Sequence, residues 1–245
     1  MVNFKELKFR IRDFLRFDQK ELFNLLLISL AAAFIFSFND WGAQTFNLAT
    51  GLTNLFLLFI ASIIIVLFRF TLQKIYALSL GYKATFGIWY NGLLYSLIIV
   101  FFTLGRLPLI MMGKLDLKFL SKQRIGEKRY GFSYVQNAYM EIVGPFANLL
   151  IAIPFAIFSL AFPQSYFFAN ALQITIFMGF FSFLPFNNLG GLAMFFGSRP
   201  IYYTSIIAYT ILALLLMAKL KASIIAVIII VFIFAIIYTL LSSEK

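Results

Sequence analysis

Long apolar runs, broken by short polar stretches, set the pattern of the chain. Eighteen residues without a charge separate Glu21 from Asp40, and 28 separate Asp40 from Arg69. Further uncharged runs of 22, 57, 19 and 22 residues follow Lys83, Glu141, Arg199 and Lys221. A helix needs about 20 apolar residues to cross a bilayer, so the pattern predicts an all-α polytopic membrane protein with about six transmembrane helices. They fall near 23–38, from 52 past 68, twice within 142–198, and near 201–218 and 222–241.

Two stretches follow other periods. Over residues 1–22, Phe4, Leu7, Ile11, Phe14 and Leu15 share one helical stripe, while Lys5, Lys8, Arg12 and Arg16 fall mostly opposite. That is the pattern of an amphipathic helix lying on a membrane surface. Ser79 to Gly87 alternates between glycine boundaries and predicts a short strand at the membrane edge. The expected organisation is a surface helix over 1–22 and one transmembrane domain over 23–245.

Composition narrows the chemistry. The 245 residues are 62% hydrophobic and 12% charged, against roughly 25% charged in soluble domains. There is no Cys and no His. The missing thiol removes disulfides and thiol catalysis; the missing imidazole removes the commonest zinc ligand, general base and proton shuttle. The net charge of +11 sits beside apolar segments, which implies anionic membrane lipids as partners rather than nucleic acid.

Charge placement also bears on topology. If residues 91–105 cross the membrane, the basic cluster Arg106, Lys114, Lys118, Lys122, Arg124, Lys128 and Arg129 lies outside, giving 11 Lys/Arg inside against 9 outside. If the segment dips in and returns, the count is 18 against 2. The positive-inside rule favours the re-entrant or interfacial hairpin, with both termini cytoplasmic.

The longest uncharged stretch, Glu141 to Arg199, is where a site is expected. Its first pass opens on Gly144-Pro145 and carries Asn148; its second ends on Pro185, Asn187, Asn188, Gly190 and Gly191. Irregular backbone at membrane depth survives only when buried in protein or lining a wet cavity.

Three landmarks in this order resemble the site-2 protease family of intramembrane zinc metalloproteases, in particular its compact archaeal-type members. LGYKATF (Leu80–Phe86) resembles the Gly-Tyr-rich strand that follows the family's catalytic helix. GPFANLL (Gly144–Leu150) resembles its Gly-Pro-x-x-Asn segment, and FLPFNNLGG (Phe183–Gly191) the segment that supplies its third zinc ligand. The likeness covers roughly residues 55–195 and implies a zinc cofactor. Yet it places Arg69, Phe70 and Gln73 where the family has its His, Glu and His, and Gly190 where it has an Asp. With those ligands absent, metal-assisted peptide hydrolysis is expected to be lost.

Each position also has a plain structural reading. Arg69 either replaces the metal's charge, with Glu141, Asn187 or Asn188 as partners, or snorkels from a helix end. Gln73 either binds an exposed peptide backbone or sits at the interface. Asn148 ties helices together or binds a ligand. Asn187 and Asn188 build a turn or line a groove, Gly190 and Gly191 permit close contact, and Glu141 is a lone base or an acid near a helix N-terminus.

The resemblance therefore implies a pseudoprotease: a membrane scaffold that binds a single-pass membrane protein or peptide without cutting it, or that associates with an active relative. The alternatives are a residual peptidase built on Ser182 or Thr71, and a small-solute transporter or channel.

Overall fold

The computed structural model describes residues 4–42, 45–120, 133–218 and 220–230. The basic residues Lys122, Arg124, Lys128 and Arg129, and the part of the last expected helix beyond Ile230, lie outside the described residues. The order is α1 (Phe4–Phe14), α2 (Gln19–Ser37), α3 (Leu48–Ser79), β1 (Tyr82–Ile88), α4 (Tyr90–Phe102), β2 (Gly113–Phe119), α5 (Tyr134–Ala161), α6 (Tyr166–Phe181), α7 (Gly190–Gly197) and α8 (Arg199–Met217). A further helical run covers Lys221–Ile230.

Among the described residues, four helices are long and apolar enough to cross a membrane: α2, α3, α5 and α8. The expectation of about six is thereby corrected among the described residues. Helix α6 has 16 residues, about 24 Å of helix, because Pro163 precedes it and the irregular 182–189 segment ends it. The helix expected over 222–241 is described only over Lys221–Ile230.

Helices α3, α5 and α6 form the centre of the bundle, with α2 against α3 and α8 against α5 and α6. At one end, Tyr166 Oη–H donates to Asp40 Oδ2 at 2.5 Å and Asn54 Nδ2–H to the Asp40 carbonyl at 2.8 Å. These bonds join the α2–α3 turn to the start of α6. At the other end lies a two-stranded ribbon, in which β1 and β2 pair antiparallel from Tyr82↔Phe119 to Ile88↔Gly113.

The strand expected over 79–87 forms as β1. Strand β2 was not anticipated, although Gly-Lys-Leu-Asp-Leu-Lys-Phe alternates strictly over 113–119. Ile88 pairs with Gly113, and Trp89 N–H donates to the Met112 carbonyl at 3.0 Å. The α4 segment therefore leaves the ribbon and returns to the same place, as a hairpin must. Helix α1 forms from the amphipathic pattern, and its Arg10 guanidinium ties it to the Leu78 carbonyl of α3 at 3.0 Å.

Helix α5 starts ten residues before Gly144, so the Gly144-Pro145 pair does not open the pass. Ser133 caps its N-terminus by accepting from Gln136 N–H. Pro145 and Pro154 both lie inside the helix, each removing one backbone donor from its ladder.

Candidate functional site: a buried polar centre beneath the ribbon

The ribbon is held along both outer edges by buried carboxylates. Trp89 N–H bonds to Met112 C=O and Leu120 N–H to Gly81 C=O, which fixes the alternation of the ladder. Phe86 and Leu115 then face each other as a non-hydrogen-bonded pair, with their amide groups pointing outward. Glu21 Oε1 accepts the Phe86 N–H at 2.9 Å, and Glu141 Oε1 accepts the Leu115 N–H at 2.9 Å. A helix carboxylate thus satisfies one amide on each edge, which explains why the ribbon can sit over an apolar bundle.

Behind Glu141 lie the residues singled out from the sequence. Arg69 and Gln73 stand one turn apart on α3 and face Gly144 of α5. A Cβ at Gly144 would lie 2.5 Å from Gln73 Nε2 and 2.9 Å from the Arg69 guanidinium. A Cβ at Gly190 would collide with Glu141 Oε2. The two glycines are therefore the room into which Gln73, Arg69 and Glu141 fit. Gly191 is equally constrained, because a Cβ there would strike the Phe183 and Leu184 carbonyls.

Several plain readings are corrected by this geometry. Arg69 does not snorkel: it is 4% exposed, donates to the Met178 carbonyl at 3.4 Å, and its guanidinium carbon lies 5.6 Å from the Phe70 ring centre. Gln73 is fully buried rather than interfacial, with Nε2–H donating to the Met140 carbonyl at 3.3 Å. Glu141 does not cap a helix N-terminus; it sits two turns inside α5, 3% exposed, and holds β2. Phe70 packs under β1, with its ring 4.3 Å from that of Phe86.

Asn148 continues the polar seam one turn further along α5. It is fully buried, and neither amide atom has a hydrogen-bond partner among the described residues. Arg69 Nε, Gln73 Oε1 and Ser62 Oγ share that condition. Each such atom loses free energy in an apolar interior unless something pairs with it, so the seam has unspent capacity to bind polar groups. Asn187 and Asn188 form the turn before α7: Asn188 adopts φ 68°, a left-handed conformation that asparagine tolerates, and its N–H bonds to Asn187 Oδ1 at 3.1 Å.

A cavity of about 350 Å³ opens beside these residues. It is lined by Leu115 and Leu117 on the outer edge of β2, by Glu141, and by Asn187, Asn188 and Phe196. Leu117, two residues on from Leu115, presents its backbone along the same edge. The chemistry on offer is hydrogen bonding to an extended backbone, with one carboxylate at the base.

The donor set does not fit zinc. At the four positions that the resemblance singles out stand a guanidinium, a phenyl ring, a carboxamide and a glycine, and none is an anionic or imidazole ligand. Among the described residues no group of three His, Cys, Asp or Glu side chains comes together. Ser182 offers no activated nucleophile, since its hydroxyl donates to the Met178 carbonyl at 2.8 Å and no side-chain base accepts from it among the described residues. Thr71 is half-buried on α3, outside the cavity lining.

Together, the apolar helices and the clamped ribbon mark a helical membrane protein with a buried polar centre at one end. No protein-family model matches the chain, and no curated protein or solved structure matches it significantly.

Proposed function

We propose that this chain is a site-2-protease-like membrane scaffold that holds a peptide segment of another membrane protein without cutting it. One observation carries the reading: the cavity beside the outer edge of β2, with Asn187 and Asn188 on one wall and Glu141 at its base. An extended segment entering there would meet backbone groups of β2 and amide side chains of the 187–188 turn, which is recognition by strand addition. Behind Glu141, outside the cavity lining, stand Arg69, Gln73, Gly144 and Gly190, the positions where the resemblance would put the family's metal site. A fixed cation and a carboxamide bind polar backbone but do not activate water as a metal does. On this reading both termini face the cytoplasm, the partner is a single-pass membrane protein or peptide in a prokaryotic membrane, and an active relative could share it.

Photo-crosslinking in native membranes tests the reading, with probes replacing Asn188 and Asp116, both of which line the cavity. One defined membrane peptide captured from both positions, and lost when Ala193→Trp fills the cavity, is the expected result. Capture of bulk lipid alone from both positions would refute it.

A further inference from the structure

A second cavity lies on a different face of the bundle. Its volume is about 600 Å³, within the range of small-molecule sites. Leu7 of α1 forms its rim, Leu72, Ile75, Tyr76, Ser79 and Leu80 of α3 form one wall, and Val143, Phe146, Ala147 and Leu150 of α5 form the other. Ser79 Oγ–H is already donated to the Tyr76 carbonyl at 2.7 Å. Apart from the Tyr76 hydroxyl the rest of the lining is hydrocarbon and aromatic ring, which suits an alkyl chain better than a peptide or a polar solute. From Val143 to Leu150 the α5 wall runs about 10 Å along the helix axis, starting at the ribbon end of the bundle.

The helix at the rim supplies the complementary charge. Helix α1 carries Lys5, Lys8, Arg10 and Arg12 against Glu6 and Asp13. Arg10 is used internally, bonded to the Leu78 carbonyl and ion-paired with Glu6 at 2.5 Å, so it fixes α1 across the end of α3. Lys8 and Arg12, one turn apart, are exposed. Phe9 is 62% exposed on the same helix, as suits an amphipathic helix in the interfacial layer, where a ring finds an apolar surround and lysines find headgroups. We infer that this groove is a specific site for an anionic phospholipid, with an acyl chain between α3 and α5 and its headgroup against Lys8 and Arg12 of α1.

The site is independent of the peptide reading, because none of its lining residues borders the β2 cavity. Native mass spectrometry of the full chain tests it, after extraction from vesicles of phosphatidylcholine and phosphatidylglycerol in equal amounts. The wild type is expected to retain one phosphatidylglycerol in preference to phosphatidylcholine. Lys8→Gln and Arg12→Gln should each reduce that preference by about fivefold, the effect of one basic side chain at an anionic surface.

Val143→Trp and Leu72→Trp fill the groove from opposite walls at half-buried positions, and each should abolish retention. A matching melting temperature identifies the folded variant, and two walls guard against one failing to fold. Three results would overturn the inference: retention unchanged in a folded Trp variant, equal retention of both lipids by the wild type, or a membrane peptide rather than lipid crosslinked from Leu150.

Discussion

Glu21 and Glu141 perform the same task on opposite edges of one ribbon, yet their charges are balanced in different ways. Each accepts an outward amide from one member of the Phe86–Leu115 pair, at 2.9 Å in both cases. Glu21 also takes Lys74 Nζ at 2.6 Å, and Lys74 further donates to the Arg16 carbonyl at 2.8 Å and lies 3.9 Å from the Phe17 ring centre. Among the described residues Glu141 has no cation within salt-bridge distance. Arg69 acts on it electrostatically while donating its hydrogen bond to the Met178 carbonyl. One clamp is closed and fully partnered; the other keeps unspent polar atoms and borders a cavity. A closed clamp is what stability needs, and an incompletely paired one is what binding needs.

The largest expected effect comes from opening the closed clamp. Glu21→Ala leaves Lys74 buried without its carboxylate, which should cost about 3–5 kcal/mol, read as lost resistance to thermal unfolding in detergent. The same change on the other side is gentler. Glu141→Ala removes the acceptor of the Leu115 amide and should cost about 1–3 kcal/mol, with faster hydrogen exchange at Leu115 and no change at Phe86. If the two alanine variants are equally unstable, the clamps are equivalent and the contrast fails.

Overpacking probes the room between the charges. Gly144→Val must push Gln73 and Arg69 aside and should cost about 1–3 kcal/mol, measured in the same unfolding assay. A double-mutant cycle sharpens the comparison further. Coupling between Lys74 and Glu21 should reach about 1.5–3 kcal/mol, the range for a charged hydrogen bond. Coupling between Arg69 and Glu141 should be smaller. The smallest effect is expected at Asn188: its positive φ suits glycine, so Asn188→Gly should move stability by only a few tenths of a kcal/mol. Peptide capture should weaken nonetheless, because the side chain lines the cavity.

How much of this could be read from the chain depends on the range of each interaction. The apolar runs gave four of the expected crossings directly, and local alternation placed β1. Charge counting pointed to a hairpin around α4, whose two ends do meet at Ile88 and Gly113. Motif order marks Arg69, Gln73 and Gly190, and Glu141 stands out as the acid that opens the uncharged stretch; the four gather around Gly144 and Gly190. Glu21 was missed because it lies 65 residues from the amide it holds, and nothing local marks it beyond its position at the start of an apolar run. The burial of Arg69 and Gln73 is not legible locally, because a polar residue near a helix end looks interfacial until a ribbon covers it. The start of α5 was placed too late because Gly-Pro reads as a boundary, whereas here Gly144 makes room for side chains and Pro145 is carried inside the helix.

On the proposed function, the β2 cavity holds a peptide and leaves it intact. Mass spectrometry of the peptide crosslinked at Asn188, after prolonged incubation of the purified complex with added zinc, tests this most directly. The expected result is one unchanged peptide mass and no stoichiometric metal on the protein. Shortened peptide products that appear with bound zinc would contradict it.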